Sequence, residues 1–216
     1  MVERAPRGAL DAFPETHPAM QEETEKSAAT AAVLSADERG TLLRVARDAI
    51  VAHLERRPSP PLDGGTETPR LLAPGAAFVT VRVQGDLRGC IGTTRFERPL
   101  REVVSELAVS AANQDRRFDS IRGHELARLT VAVSVLTPLE PARVDAIEIG
   151  RHGLVVRWRS SSGLLLPQVA SENGWDAARF LAETSRKAGL PQDAWRQPGA
   201  QVFWFEAERF SEDGLD

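Results

Sequence analysis

The apolar positions of this chain change period several times, and each change marks an element. Leu42, Ala46, Ala49, Ile50, His53 and Leu54 recur at helical spacing, so a helix is expected from Ser35 to near Arg57. Ser35 with Glu38 forms a capping-box pattern at its start, and Pro58 stops it. The stretch from Pro58 to Pro69, with Pro60-Pro61 and Gly64-Gly65, reads as a loop. From Ala77 to Val83 the pattern alternates and is β-branched, which predicts a strand. Gln84-Gly85-Asp86 is the turn, and Leu87 to Gly92 returns as a short, irregular strand. Pro99 opens a second helix whose stripe is Leu100, Val103, Val104, Leu107, Ala108 and Ala111.

Leu129 to Leu136 is the most strand-like window of the chain. Val144 to Ile149 and Leu154 to Arg159 are expected to form another hairpin through Gly150-Arg151-His152-Gly153. Asp176 caps a helix buried through Ala177, Phe180, Leu181, Thr184 and Ala188, which Gly189 ends ahead of Pro191. Val202 to Glu208 closes the chain with a strand. Hairpin-linked strands with helices between them predict an α+β fold, with flanking helices on a mixed or antiparallel sheet. Residues 1–34 mix Pro, Glu, Thr and Ala without a sustained period, so a disordered acidic tail is expected ahead of one domain over 35–216.

Composition narrows the class. The chain is 42% hydrophobic and 27% charged, as in soluble globular proteins. No run approaches the roughly 18 apolar residues of a membrane span, and the polar start has no signal-peptide core. With Cys90 as the one cysteine no intramolecular disulfide can form, so a cytoplasmic location away from the membrane is expected. The net charge of −4 arises in the first 40 residues; the remainder balances and is rich in Arg, and the whole chain has only two lysines, Lys26 and Lys187. Arg88, Arg95, Arg98, Arg101, Arg116 and Arg117 make the middle slightly basic. That falls short of a nucleic-acid stripe, and reads as a local site for an anionic group or as scattered solvated charge.

Chemistry concentrates in Arg88-Gly89-Cys90-Ile91-Gly92. Glycine within a strand marks a bulge or a close backbone approach, and a neighbouring Arg favours the thiolate, the reactive form. Cys90 is the candidate nucleophile; packed as a small buried residue, it is also what a crowded sheet uses. Among bases, His17 lies in the tail, His53 on the helix stripe and His124 in a loop. His152, expected exposed in a turn, is the preferred acid–base partner. Asp115-Arg116-Arg117-Phe118 follows the second helix as a structural ion pair or a pocket lining. Ser162 to Val169 combines a turn with an apolar run, and Gln168 is a candidate hydrogen-bonding amide. The substrate-binding candidates are thus Arg88, Gly89, Gly92, Arg117 and Gln168. CxxC, HxH and HExxH spacings are absent, as are GxxxxGK[ST] and a helix-opening GxGxxG, so neither a metal nor a cofactor is expected.

Taken in order, several segments resemble the AMMECR-one domain family. They are Gly75 to Thr80, Leu87-Arg88-Gly89-Cys90-Ile91-Gly92-Thr93, Asp115 to Phe118, Val133 to Leu136, Gly150 to Leu154, Ser162 to Val169, Lys187 to Pro191 with Trp195, and Phe203 to Phe210. The likeness runs from about Leu34 to the C-terminus. It implies an α+β fold with a larger and a smaller lobe around a cleft, and association with a Memo-like protein and a radical-SAM protein. It also implies a role in RNA or nucleotide chemistry through the motif cysteine. Where the family commonly reads Asp-Pro-Arg-Phe this chain has Asp115-Arg116-Arg117-Phe118, so no proline fixes the bend before Arg117. The expectation is a cysteine-dependent enzyme or enzyme component acting on a nucleotide-like or small anionic substrate. The rivals are a non-catalytic binding or adaptor module, and an RNA-binding subunit using Arg95 and Arg98.

Overall fold

The computed structural model describes residues 34–59 and 68–214. Of the expected tail (1–34) only Leu34 is described; its other residues and most of the Pro/Gly loop (60–67) lie outside the described residues. The described chain divides into two compact units, residues 34–59 and 68–136 with 208–214, and residues 137–207. It is an α+β protein, and its described strand pairs are antiparallel.

In the first unit, helix α1 (Ala36–Leu54) starts at the expected capping box: Ser35 accepts from the Glu38 N–H while Glu38 accepts from the Ser35 N–H. Its buried face is Leu42, Ala46, Ala49, Ile50 and Ala52. His53, assigned to that face, is exposed; the stripe turns toward Ala52 in the last turn and leaves the imidazole in water. A single helical turn, α2 (Pro69–Leu72), leads into strands β1 (Ala76–Val83) and β2 (Asp86–Gly92). Gln84 and Gly85 both take positive φ (54° and 87°), the backbone a two-residue hairpin turn needs. Helix α3 (Leu100–Asn113) follows, then strand β3 (Leu129–Leu136).

The strand order is β2-β1-β3, followed by strand β7 (Gln201–Ser211), whose last residues, 208–211, belong to this unit. Alternation puts Ala77, Val79 and Val81 of β1 into one core with the apolar faces of α1 and α3. Leu34 is buried in the same core, and its N–H donates to Glu208. β3 carries a side-chain brace: Glu212 accepts from the Val131 N–H, and Arg47 donates to Leu129 O.

The second unit is built on strand β5 (His152–Trp158), paired with β6 (Ser161–Leu165) on one side and with β7 on the other. The two-residue strand β4 (Glu140–Pro141) adds to β7. The hairpin expected between Val144–Ile149 and Leu154–Arg159 is therefore corrected. Both edges of β5 are already taken, so the first segment has no ladder to join. It holds a 3-10 turn at Val144–Ala146 and leaves Val144 and Ile149 exposed. Ser162 to Val169, read as a turn and apolar run, is the end of β6 and the start of helix α4 (Pro167–Glu172). Helix α5 (Ala177–Lys187) begins at the expected cap, Asp176, and ends before Gly189, whose φ is 73°. Phe180 and Leu181 join Leu154, Val156 and Ala170 in the core of this unit. No described helix is long and apolar enough to cross a membrane.

Candidate functional site

The geometry around Cys90 begins with a counting irregularity in the β1–β2 hairpin. Val83 pairs with Asp86 and Arg82 with Leu87, but Val81 then pairs with Gly89 and Thr80 with Cys90. Arg88 is the residue left without a partner, a β-bulge in β2. In straight register Cys90 would oppose Val79 and share its core-facing side. The bulge instead sets Cys90 beside Thr80, on the sheet face opposite α1 and α3. There the thiol is half-buried, and the Thr80 hydroxyl donates to Cys90 Sγ at 3.4 Å.

The flanking glycines are demanded by close approach. A Cβ on Gly89 would lie 1.9 Å from Ala111 O, so α3 can reach β2 only over a residue without a side chain. A Cβ on Gly92 would lie 2.2 Å from the Phe78 ring, which occupies that space.

β2 stands at the end of the strand order, and the outward polar groups of Cys90 meet side chains instead of another strand. The Cys90 N–H donates to Asp115 Oδ2 (2.9 Å), and Arg117 Nη2 donates to Cys90 O (3.3 Å). The two side chains are joined by bonds from Arg117 Nε to Asp115 Oδ1 (2.9 Å) and from Nη2 to Oδ2 (2.7 Å). Asp115 is buried, and burial alone would push its carboxyl up. Hydrogen bonds from the Arg117 side chain, the Cys90 N–H and the Arg117 N–H outweigh burial, and with the Arg117 charge they hold it below its usual value. The same contact raises the Arg117 guanidinium despite burial. The brace on β3 touches two residues, Leu129 and Val131; here both bonds converge on one, the cysteine. The segment read as either ion pair or pocket lining is thus an ion pair that clamps the motif backbone.

Arg88, expected to favour the thiolate, turns its guanidinium to Glu125 and to Asp119 O (3.2 Å), so its charge has a counter-ion. Glu125 is lowered: burial raises it, but the Arg122 N–H and Arg88 prevail. A groove of about 260 Å³ runs past Thr93, Arg95, Glu97 and Arg98 to Val103, Glu106 and Leu107 of α3. Its Arg98 is held by Glu102 and Glu106, whereas Arg95, the other cation considered for RNA, has no ion pair among the described residues.

His152 and Gln168 belong to the second unit. His152 is not an exposed turn residue: it opens β5, is buried, and lies 4.5 Å from Trp204, ring to ring. Gly150 (φ 87°) makes the turn ahead of it. His152 Nδ1 accepts from the Glu148 N–H (3.1 Å), which leaves Nε2 to carry the proton of the neutral ring. Gln168 is half-buried in the first turn of α4, after Pro167. Among the described residues no three His, Cys, Asp or Glu side chains gather into a metal-ligating group. Thr80 and the clamping role of Asp115 were missed in the sequence. The expected turn, Gln84-Gly85-Asp86, pairs Val83 with Leu87 and so sets Cys90 opposite Thr80. In the structure Asp86 instead pairs with Val83, the turn is two residues, and the bulge at Arg88 restores the Thr80–Cys90 pairing.

Comparison with known proteins places this geometry. The AMMECR1 family model matches residues 43–210. A protein of Methanothermobacter thermautotrophicus is 44% identical over 191 residues, covering 85% of this chain and 98% of that protein. One from Methanopyrus kandleri is 43% identical, over 83% of this chain and 91% of its own length. The crystal structure of an uncharacterised protein from Pyrococcus horikoshii matches with a TM-score of 0.74 at 39% identity, covering 81% of this chain and 91% of that one. By its sequence and its fold, the chain belongs to the AMMECR1 family.

Proposed function

We propose that this protein is a cysteine-dependent enzyme, or the thiol-bearing component of one, with Cys90 as the nucleophile and a nucleotide-like or small anionic molecule as substrate. The observation that carries the reading is the clamp. Asp115 and Arg117 fix both backbone polar groups of Cys90, while its side chain stays half-buried beside the Thr80 donor. A reactive group has to be held in place by its surroundings, and a rigid strand does this better than a loop. The thiolate would add to an electrophilic carbon, forming a C–S bond as a π bond breaks. At an acyl carbon the C=O pair moves to oxygen, and at a pyrimidine ring position the C=C pair moves to the neighbouring carbon, which takes a proton from water. Arg117, half-exposed beyond its contact with Asp115, is the cation nearest the Cys90 backbone for an anionic substituent. The family resemblance makes a Memo-like and a radical-SAM protein the partners with which activity should be assayed.

The test uses the single thiol. Native protein is treated with iodoacetamide at pH 7 and followed by intact mass, with glutathione as the reference. Stoichiometric labelling faster than glutathione supports the nucleophile. Labelling that waits for denaturation makes Cys90 a packing residue, and the non-catalytic binding module then replaces the enzyme.

A further inference from the structure

Cation–π pairs occur roughly once per 70–80 residues in proteins. The second unit, of about that length, holds three among the described residues: Arg157 over Phe203 (4.8 Å), Arg159 over Trp158 (4.3 Å) and Arg196 over Trp195 (4.4 Å). Two of them are tied together. Trp158 and Arg159 sit at the tip of the β5–β6 hairpin, and Trp158 Nε1–H donates to Pro198 O (3.2 Å), two residues beyond Arg196. Arg159 occupies a left-handed position (φ 55°) where Gly or Asn is the unstrained choice for a hairpin. The sequence keeps a long cation there instead.

The charge at this surface is one-sided. Residues 157–161 and 193–201 carry three arginines against one carboxylate, Asp193, which accepts from Gln197 Nε2 (2.9 Å). Arg159 and Arg196 are exposed, and neither has a described ion pair, unlike Arg143, Arg151, Arg179 and Arg186 of the same unit. Trp195 packs on the core of the unit, so the guanidinium above it is what meets solvent.

We propose that this surface binds a single-stranded polynucleotide, with bases stacking on the Trp-backed guanidinium planes of Arg159 and Arg196 and phosphates taking their N–H groups. Two or three cations suit a short strand better than the long stripe a duplex requires. A lipid surface fits less well. The Trp158 N–H is already bonded, both indoles lie under cations, and the large exposed apolar side chains, Leu72, Val144 and Ile149, lie outside these segments. The inference shares the substrate class of the proposed function but makes no use of the thiol.

The experiment is fluorescence anisotropy of a fluorescein-labelled oligouridylate with the full chain across a KCl series. The expected result is affinity that falls with salt, with a log–log slope of about −0.7 for each phosphate contacted. Arg159→Ala with Arg196→Ala should weaken binding at least tenfold, while Arg143→Ala leaves it unchanged. Absence of binding at low salt, an equal loss in Arg143→Ala, or an undiminished double variant overturns the proposal. Binding to phosphatidylserine vesicles without binding to the oligonucleotide also overturns it. Each of those failures leaves iodoacetamide labelling of Cys90 untouched, so the two readings fall separately.

Discussion

Replacing Asp115 with Ala removes the acceptor that the Cys90 N–H and the Arg117 side chain share. The side chain of Asp115 is 5% exposed and that of Arg117 53%, so the two ends of the clamp respond differently. The Cys90 N–H loses a charged acceptor at a part-buried position, a change worth about 1–3 kcal/mol. The guanidinium swings into water, and its share is that of a surface pair, about 0–1 kcal/mol. The expected destabilisation is therefore about 2 kcal/mol, which for an m-value of about 2 kcal/mol/M lowers the urea midpoint by about 1 M. The assay is urea unfolding followed by circular dichroism, with Arg98→Ala as the comparison. Arg98 contacts two carboxylates, but its side chain is 47% exposed, and its loss should move the midpoint by less than about 0.3 M. If Asp115→Ala costs no more than Arg98→Ala, the clamp does not hold the strand and the reasoning fails.

The pH dependence follows from the same carboxyl. Because its folded pKa is depressed, Asp115 contributes stability that is present above its unfolded value, about 3.9, and is lost as pH falls through the folded one. Asp115→Asn should therefore flatten the acid limb of the stability curve below about pH 4, and an unchanged limb excludes this contribution. Gly89→Ala should destabilise by about 3 kcal/mol, because its Cβ meets the rigid backbone carbonyl of Ala111. Gly92→Ala meets only the Phe78 ring, which can turn, so thermal melts should rank it milder; the reverse order would place α3 farther from β2 than described. Thr80→Val keeps the shape and removes the hydroxyl at Cys90 Sγ, so iodoacetamide labelling should change rate while the melting temperature stays within about 2 °C. An unaltered rate would make that hydroxyl irrelevant to the thiol.

Periodicity made most of the fold legible. The capping box at Ser35, the α3 stripe and the alternation of β1 each follow from local rules that packing then reinforces. Val144 to Ile149 misled because strand propensity says nothing about whether a neighbouring edge is free, and both edges of β5 are filled. His152 misled in a related way. Glycines on either side suggest a turn, yet Gly150 alone makes it and Gly153 lies in the strand, with the Phe205 ring where its side chain would be. At the candidate site the motif residues could be read directly. What the Cys90 backbone faces could not, since its bonds to Asp115 and Arg117 depend on the course of the chain after α3.

The bulge at Arg88 has an evolutionary consequence. It is the position in β2 that the pairing skips, so the hairpin holds one residue of slack between its turn and the thiol. A relative lacking one residue there would close into straight register and still bring Thr80 opposite Cys90. It would give up only the contacts of Arg88 with Glu125 and Asp119. A relative with one residue more would have to absorb a second unpaired position or turn the sulfur to the other side of the sheet. The register therefore accommodates a shorter hairpin next to this cysteine more readily than a longer one, and residue 88 itself is free of the inward–outward rule that governs its neighbours.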